Sequence, residues 1–120
     1  PPEFVPADPR FIERGAGIYE QHCAKCHGAR GEGIKGAYPP LAGNRAVTLP
    51  ITANLVQVVL GGGYPPATAG NPRPQGMPSL VMAPEDADVA AVLTFLRASW
   101  GHNGPPVSEF EVAQQRGGAR

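Results

Sequence analysis

Two thiols and an imidazole stand together at Cys23-Ala24-Lys25-Cys26-His27, and Cys23 and Cys26 are the only cysteines in the chain. No feature constrains the fold more. With no further cysteine there is no disulfide framework, so both thiols answer to one local purpose. The rest of the sequence makes such a purpose necessary. Sixteen glycines and 15 prolines in 120 residues leave few uninterrupted stretches for helices or strands. A chain of this length forms one domain. One so rich in backbone breakers gains a core most readily around a buried group of large apolar area.

The spacing narrows the identity of that group. A thiol adds across a haem vinyl group to give a thioether, so two vinyls on one macrocycle require two cysteines a few residues apart. A histidine next in line can then place a ring nitrogen on the iron. Cys23, Cys26 and His27 are therefore the expected attachment points of one covalent haem c, with His27 an iron ligand. Structural zinc competes, because Cys-x-x-Cys is half of many zinc sites, but a closed site needs four ligands. Only His22 and His102 remain as further histidines, with no second cysteine pair. A dithiol redox centre also competes, but it would be expected beside a strand-helix-strand pattern that the sequence lacks.

The flanking sequence supplies elements to carry this motif. Asp8-Pro9 is a helix start, with Asp capping free amides and Pro at a position whose donor has no partner anyway. Phe11, Gly15, Ile18, Tyr19 and His22 then recur on one helical face. Gly15 on that face predicts close approach of a second helix, since a mid-helix glycine otherwise costs about 1 kcal/mol against Ala. Residues 28–36 are glycine-rich loop, and Tyr38-Pro39-Pro40-Leu41-Ala42-Gly43 is a stiff extended segment whose carbonyls stay free to accept. Asn54 to Leu60 suits either helix or strand by pattern, and a short helix ended by Gly61-Gly62-Gly63 is expected. Residues 61–78 form a long irregular loop ending at Met77-Pro78. A final amphipathic helix starts near Pro84 and carries Val89, Val92, Leu93, Leu96 and Trp100 at helical spacing, with Arg97 in its last turn and Gly101 as its cap. His102 is expected to be solvated.

The iron has a second axial position, and Met77 and Met82 are the only methionines. Met77 is the expected ligand, being loop-borne and stiffened by Pro78, while Met82 lies at the edge of the last helix and is expected to pack. His/Met ligation fills both axial sites and raises the potential, which favours electron transfer over catalysis at iron. The second nitrogen of His27 needs an acceptor, for which the Pro39 carbonyl is the candidate. Arg45 and Arg73 are candidate partners for haem propionates. Ten basic and ten acidic residues cancel, giving no sign of a nucleic-acid partner or an anionic membrane surface. No apolar run approaches the roughly 18–20 residues of a membrane span. The start, Pro1-Pro2-Glu3-Phe4, is neither an initiator Met nor a signal peptide, so the chain is expected to be processed or part of a longer one.

On these residues the chain resembles class I cytochrome c across residues 9–101. The likeness rests on the Cys23 to His27 motif, Gly15 and Tyr19 before it, Pro39 with Leu41 and Gly43 after it, Gly76-Met77-Pro78, and a last helix bearing Phe95. The resemblance implies an all-α cytochrome c fold of three or more helices wrapped round one haem. Its first and last helices would cross near Gly15 and Phe95, one haem edge would be exposed, and the Pro39 carbonyl would hold His27. It also makes Arg45 the better of the two propionate candidates. A narrower likeness, through Tyr38 to Arg45, Gly62 to Thr68, Arg73 to Pro78 and Ser99-Trp100-Gly101, is to the haem domains of cytochrome subunits of bacterial membrane-associated alcohol and aldehyde dehydrogenases. That implies a periplasmic one-electron carrier between a dehydrogenase donor and a quinone or oxidase acceptor, and not an enzyme in itself. A haem enzyme or gas sensor with an open sixth site is the alternative. Residues 1–8 are expected to be an extended arm or linker, 9–104 the haem domain and 105–120 a C-terminal tail that frays at Gly117-Gly118-Ala119-Arg120.

Overall fold

The computed structural model describes residues 5–35, 40–48, 53–61 and 85–118. Helix α1 spans Pro9–His22, α2 Ala24–His27, α3 Arg45–Thr48, α4 Ala53–Gly61, α5 Asp86–Arg97 and α6 Glu109–Gly118. The expected all-α architecture is what the described residues adopt. Met77 and Met82, with Pro39 and Arg73, lie outside the described residues.

Helix α1 begins as its sequence dictates. The Asp8 carboxylate accepts from the Arg10 backbone amide at 2.8 Å, with Pro9 at the first helical position. Its buried face carries Gly15 and Tyr19, with Phe11 and Ile18 packed partly buried beside them, while His22 is exposed. The most extensive helix contact in the fold is between α1 and α5, and Gly15 makes it possible. A Cβ there would run into the Ala91 carbonyl and come within 2.8 Å of the Phe95 Cβ, so the glycine is a requirement of the crossing and not a tolerated defect. Arg14 closes the same crossing at the surface, with Nη2 at 2.6 Å from Asp88 and 3.5 Å from Glu85.

Helix α5 is the centre of the core. Val89, Ala90, Ala91 and Leu93 are fully buried, and Val92 and Leu96 nearly so. A buried Val or Leu contributes about 1.5–3 kcal/mol relative to exposure, so this one helix holds much of the apolar stabilisation. Val56, Val59 and Leu60 of α4 and Val47 of α3 join the same cluster, which settles the helix-or-strand ambiguity of the Asn54 to Leu60 run in favour of helix. The start of α5 falls at Glu85, whose side chain makes no capping bond. Asp86 and Asp88 supply the favourable acidic first turn instead.

Two expectations at the C-terminal end are corrected. The last turn closes at Ala98, not Gly101, with the Ala98 amide donating to Phe95 O at 3.2 Å. Trp100 therefore leaves the helical stripe and takes a left-handed backbone, φ 53°, followed by Gly101 at φ 86°. Within the segment expected as a C-terminal tail, Glu109–Gly118 instead form α6, which packs on α4 and α5. Ser108 and Glu111 form a reciprocal capping box: the Glu111 amide donates to Ser108 Oγ at 3.1 Å, and the Ser108 amide to Glu111 Oε1 at 3.2 Å. Val107 and Val112 bracket it as the apolar pair of such a start, and both are buried. Thr94 locks the entry from below, its Oγ1 donating to Val107 O at 3.1 Å and accepting from Val107 N at 3.0 Å. Arg116 pairs with Asp86 at 2.7 Å, and Gln57 Nε2 reaches Gln115 Oε1 at 2.9 Å.

Substituting Gly15→Ala must push α1 off α5, and overpacking of this kind costs about 1–3 kcal/mol. Gly17, with nothing within 4 Å of a Cβ, should gain up to about 1 kcal/mol on Gly17→Ala through helix propensity. Denaturant unfolding of the two variants should therefore move in opposite directions; equal responses would refute the role given to Gly15.

Candidate haem attachment site

The motif sits at a break between two helices. Cys23 ends α1 with its amide bonded to Tyr19 O at 2.8 Å, and its φ and ψ of −121° and −36° turn the chain before α2 begins. Within the single turn of α2, Cys26 and His27 donate their amides back to Cys23 O at 3.2 and 2.9 Å. The two cysteines and the histidine are thus fixed relative to one another by backbone hydrogen bonds alone. Cys23 and Cys26 are half-buried and His27 is buried. Cys23 and Ala24 pack against the apolar cluster that α5 organises.

The loop after His27 is tied back onto it. Gly28 at φ 88° ends α2, Gly31 N donates to Gly28 O at 3.2 Å, and Gly33 N donates to His27 O at 2.6 Å. The Gly31 carbonyl then accepts from both Leu41 N, 2.7 Å, and Ala42 N, 3.0 Å. Tyr19 reaches the same loop from α1, its hydroxyl donating to Gly28 O at 2.6 Å. Its ring meets Phe95 at 5.5 Å and Trp100 at 5.3 Å, and Phe95 meets Trp100 at 5.6 Å. Trp100 lies so close over Gly31 that a Cβ there would enter its ring. The left-handed turn at Trp100, which costs a non-glycine residue roughly 1–3 kcal/mol, is offset by this packing. Three aromatic side chains therefore hold the glycine loop against α1 and α5.

These residues fit covalent haem. Both thiols are unbridged. Burial, reinforced by the neighbouring Cys26, pushes the Cys23 thiol up to about 11. The cause is the apolar cluster against which Cys23 packs, and the same turn holds Cys23, Cys26 and His27 together as three attachment points of one group. Among the described residues no three His, Cys, Asp or Glu side chains converge to build a metal cage. Of the other expected site residues, Arg45 is exposed on α3, and Pro39 and Met77 fall outside the described residues.

One side chain departs from the sequence expectation. His102, expected to be solvated, is partly buried, and its Nε2 lies 2.8 Å from Leu41 O. No local pattern announces it, because the contact depends on the left-handed turn at Trp100. Trp100 itself proves to be a wall on the glycine loop.

Tyr19 offers a pH test of this packing. Burial is the main cause that raises its hydroxyl to about 12, with Cys23 and Glu32 adding to it and a hydrogen bond from the Gly31 backbone opposing it. The raised value means that the folded state favours the neutral phenol. Its stabilising contribution is therefore complete below pH 10 and is lost as pH rises toward 12. Ultraviolet titration should show one tyrosine ionising late, and that step should vanish in Tyr19→Phe. A Tyr19→Phe chain with an unchanged titration would overturn the burial account.

Comparison with known proteins bears on the same residues. A family model described as cytochrome c matches residues 12–100. The cytochrome c subunit of a quinone alcohol dehydrogenase from Gluconobacter oxydans is 38% identical over 103 residues, covering 85% of this chain and 22% of that subunit. The gluconate 2-dehydrogenase cytochrome c subunit of Pantoea cypripedii is 33% identical over 106 residues, covering 87% of this chain and 24% of that subunit. Cytochrome c-552 of Thermus thermophilus is 38% identical over 90 residues, covering 72% of this chain and 68% of that protein. This chain thus spans less than a quarter of either dehydrogenase subunit. With the attachment motif intact at its helical break and residues 12–100 answering to the family model, the chain belongs to the cytochrome c family: an electron-transfer domain, not a catalytic one, whose cofactor is haem c.

Proposed function

We propose that this domain is a His/Met-ligated one-electron carrier, working on the extracytoplasmic side of a bacterial membrane. It accepts electrons from a dehydrogenase and passes them toward a quinone or a terminal oxidase. The observation that carries the reading is the placing of Cys23, Cys26 and His27 on one backbone-locked turn against the α1/α5 core. When bound, haem supplies one reversible electron at its iron. The protein's part is to keep that exchange cheap by moving little. Cys23 and Cys26 anchor the macrocycle, and the buried His27 holds the iron from a turn where the Cys26 and His27 amides donate to Cys23 O and the Ala24 and His27 carbonyls accept from Gly28 and Gly33. The Tyr19, Phe95 and Trp100 rings pack on one another, and Trp100 covers Gly31, which is buried.

Met77 is the second axial ligand in this reading, the Pro39 carbonyl orients the His27 ring, and Arg45, exposed on α3, meets a propionate. The dehydrogenase donor is supported by the relatives that are cytochrome c subunits of alcohol and gluconate dehydrogenases. No helix among the described residues is long and apolar enough to cross a membrane.

The haem-loaded chain should show a low-spin reduced spectrum and the weak near-infrared band of sulfur-to-iron ligation. Met77→Ala should abolish that band and lower the midpoint potential, while Met82→Ala should preserve both. Loss of the band in Met82→Ala alone would reassign the ligand. Carbon monoxide binding by the unsubstituted chain would replace the electron-carrier reading with an open-site haem protein.

A further inference from the structure

The turn after α5 sends two side chains to opposite partners of one hydrogen-bonded link. Trp100 covers Gly31, whose carbonyl accepts from the Leu41 and Ala42 amides. His102 sits at the other partner, with Nε2 2.8 Å from the Leu41 carbonyl. A carbonyl can only accept, so Nε2 carries the proton and His102 donates. His102 is itself fixed, its own amide donating to Ser99 O at 2.9 Å, and Gly104 N returns to Arg97 O at 2.8 Å. The link that His102 grips is the neck of the loop that begins at His27. From Leu41 the bonds continue through Gly31 to Gly28, and Gly33 closes onto the His27 carbonyl.

We propose that His102 is a positioning residue for the iron ligand His27: by donating to Leu41 O it locks Leu41 onto Gly31 and so steadies the 28–33 main chain that is bonded back to the His27 carbonyl. The inference rests on His27 as the proximal ligand. A glutamine amide can occupy much the same position and also donate. Alanine cannot.

The test uses the haem-loaded chain and three readouts. In His102→Ala the Leu41 and Ala42 amides should exchange with solvent about fivefold faster, the change expected for loss of one hydrogen bond of typical net strength. The hyperfine-shifted signals of the His27 ring should move, and the midpoint potential should rise as the ring loses the fixed geometry that sustains its basicity. His102→Gln should restore all three toward the parent values. Unchanged amide exchange in His102→Ala would overturn the lock itself. Faster amide exchange with unmoved His27 signals and potential would reduce His102 to a structural residue and overturn its positioning role. If His102→Ala fails to fold, His102→Gln carries the test: His27 signals and a potential close to the parent's support a role based on donation, and a clear departure of both refutes it. Failure of the ligand assignment reads out separately, because the unsubstituted chain would then lack the hyperfine-shifted imidazole signals altogether.

Discussion

The contact on which the rest depends is the one at Gly15, where α1 lies against the Ala91 carbonyl and Phe95 with no room for a side chain. Close approach there sets the depth at which Tyr19, one turn further along α1, meets Phe95 and Trp100. It also sets where α1 ends, and so where Cys23 and the turn that follows it stand relative to the α5 core. A bulkier residue at position 15 would move the attachment turn as a rigid extension of α1. The cost would be felt first in packing and only then at the site.

From that crossing, two routes fix the glycine loop that follows His27. One comes from α1, through the Tyr19 hydroxyl on the Gly28 carbonyl. The other comes from the turn after α5, through Trp100 on Gly31 and His102 on Leu41. A segment with glycines at 28, 31 and 33 has little propensity for any one conformation, so its order is borrowed from its neighbours. Glycine is nevertheless the right residue at Gly31, since only a missing side chain lets the indole lie over the backbone that binds Leu41 and Ala42. Rigidity in this loop is an outcome of tertiary contacts, and it suits an electron-transfer protein, which must change charge with little movement.

What the sequence made legible follows from where the information is local. The Cys23 to His27 spacing, the Asp8-Pro9 start and the Gly15 crossing are set by residues within a turn or two of each other, or by an apolar period, and all three appear in the fold as expected. The departures arise where distant contacts override a pattern. Trp100 continues the helical stripe of Val89, Val92 and Leu96, yet helix α5 closes at Ala98 because the ring packs better on Gly31 than on the stripe. His102 carries no period at all. The helix at 109–118 is a different case, since its signal was present and local: Ser108-Glu109-Phe110-Glu111 is a capping box, with Val107 and Val112 flanking it. Against that start stands the terminal Gly117-Gly118-Ala119-Arg120, whose glycines favour fraying.

That helix alters what the end of α5 is. An arginine in a last turn ordinarily faces solvent and favours the helix carboxyl end, and Arg97 occupies that position. Here it is fully buried, with Gly104 against its side chain and Glu111 of α6 acting on it electrostatically. Burial pulls its pKa down and Glu111 opposes that. A buried guanidinium is costly unless the elements around it supply polar partners, so α5 and the segment that covers it are mutually dependent. The family model ends at residue 100, but Val107 and Val112 beyond it are as deeply buried as Val89 and Leu93. The cooperative unit of this domain therefore extends through α6, and a boundary drawn at the end of the family match would cut through its core.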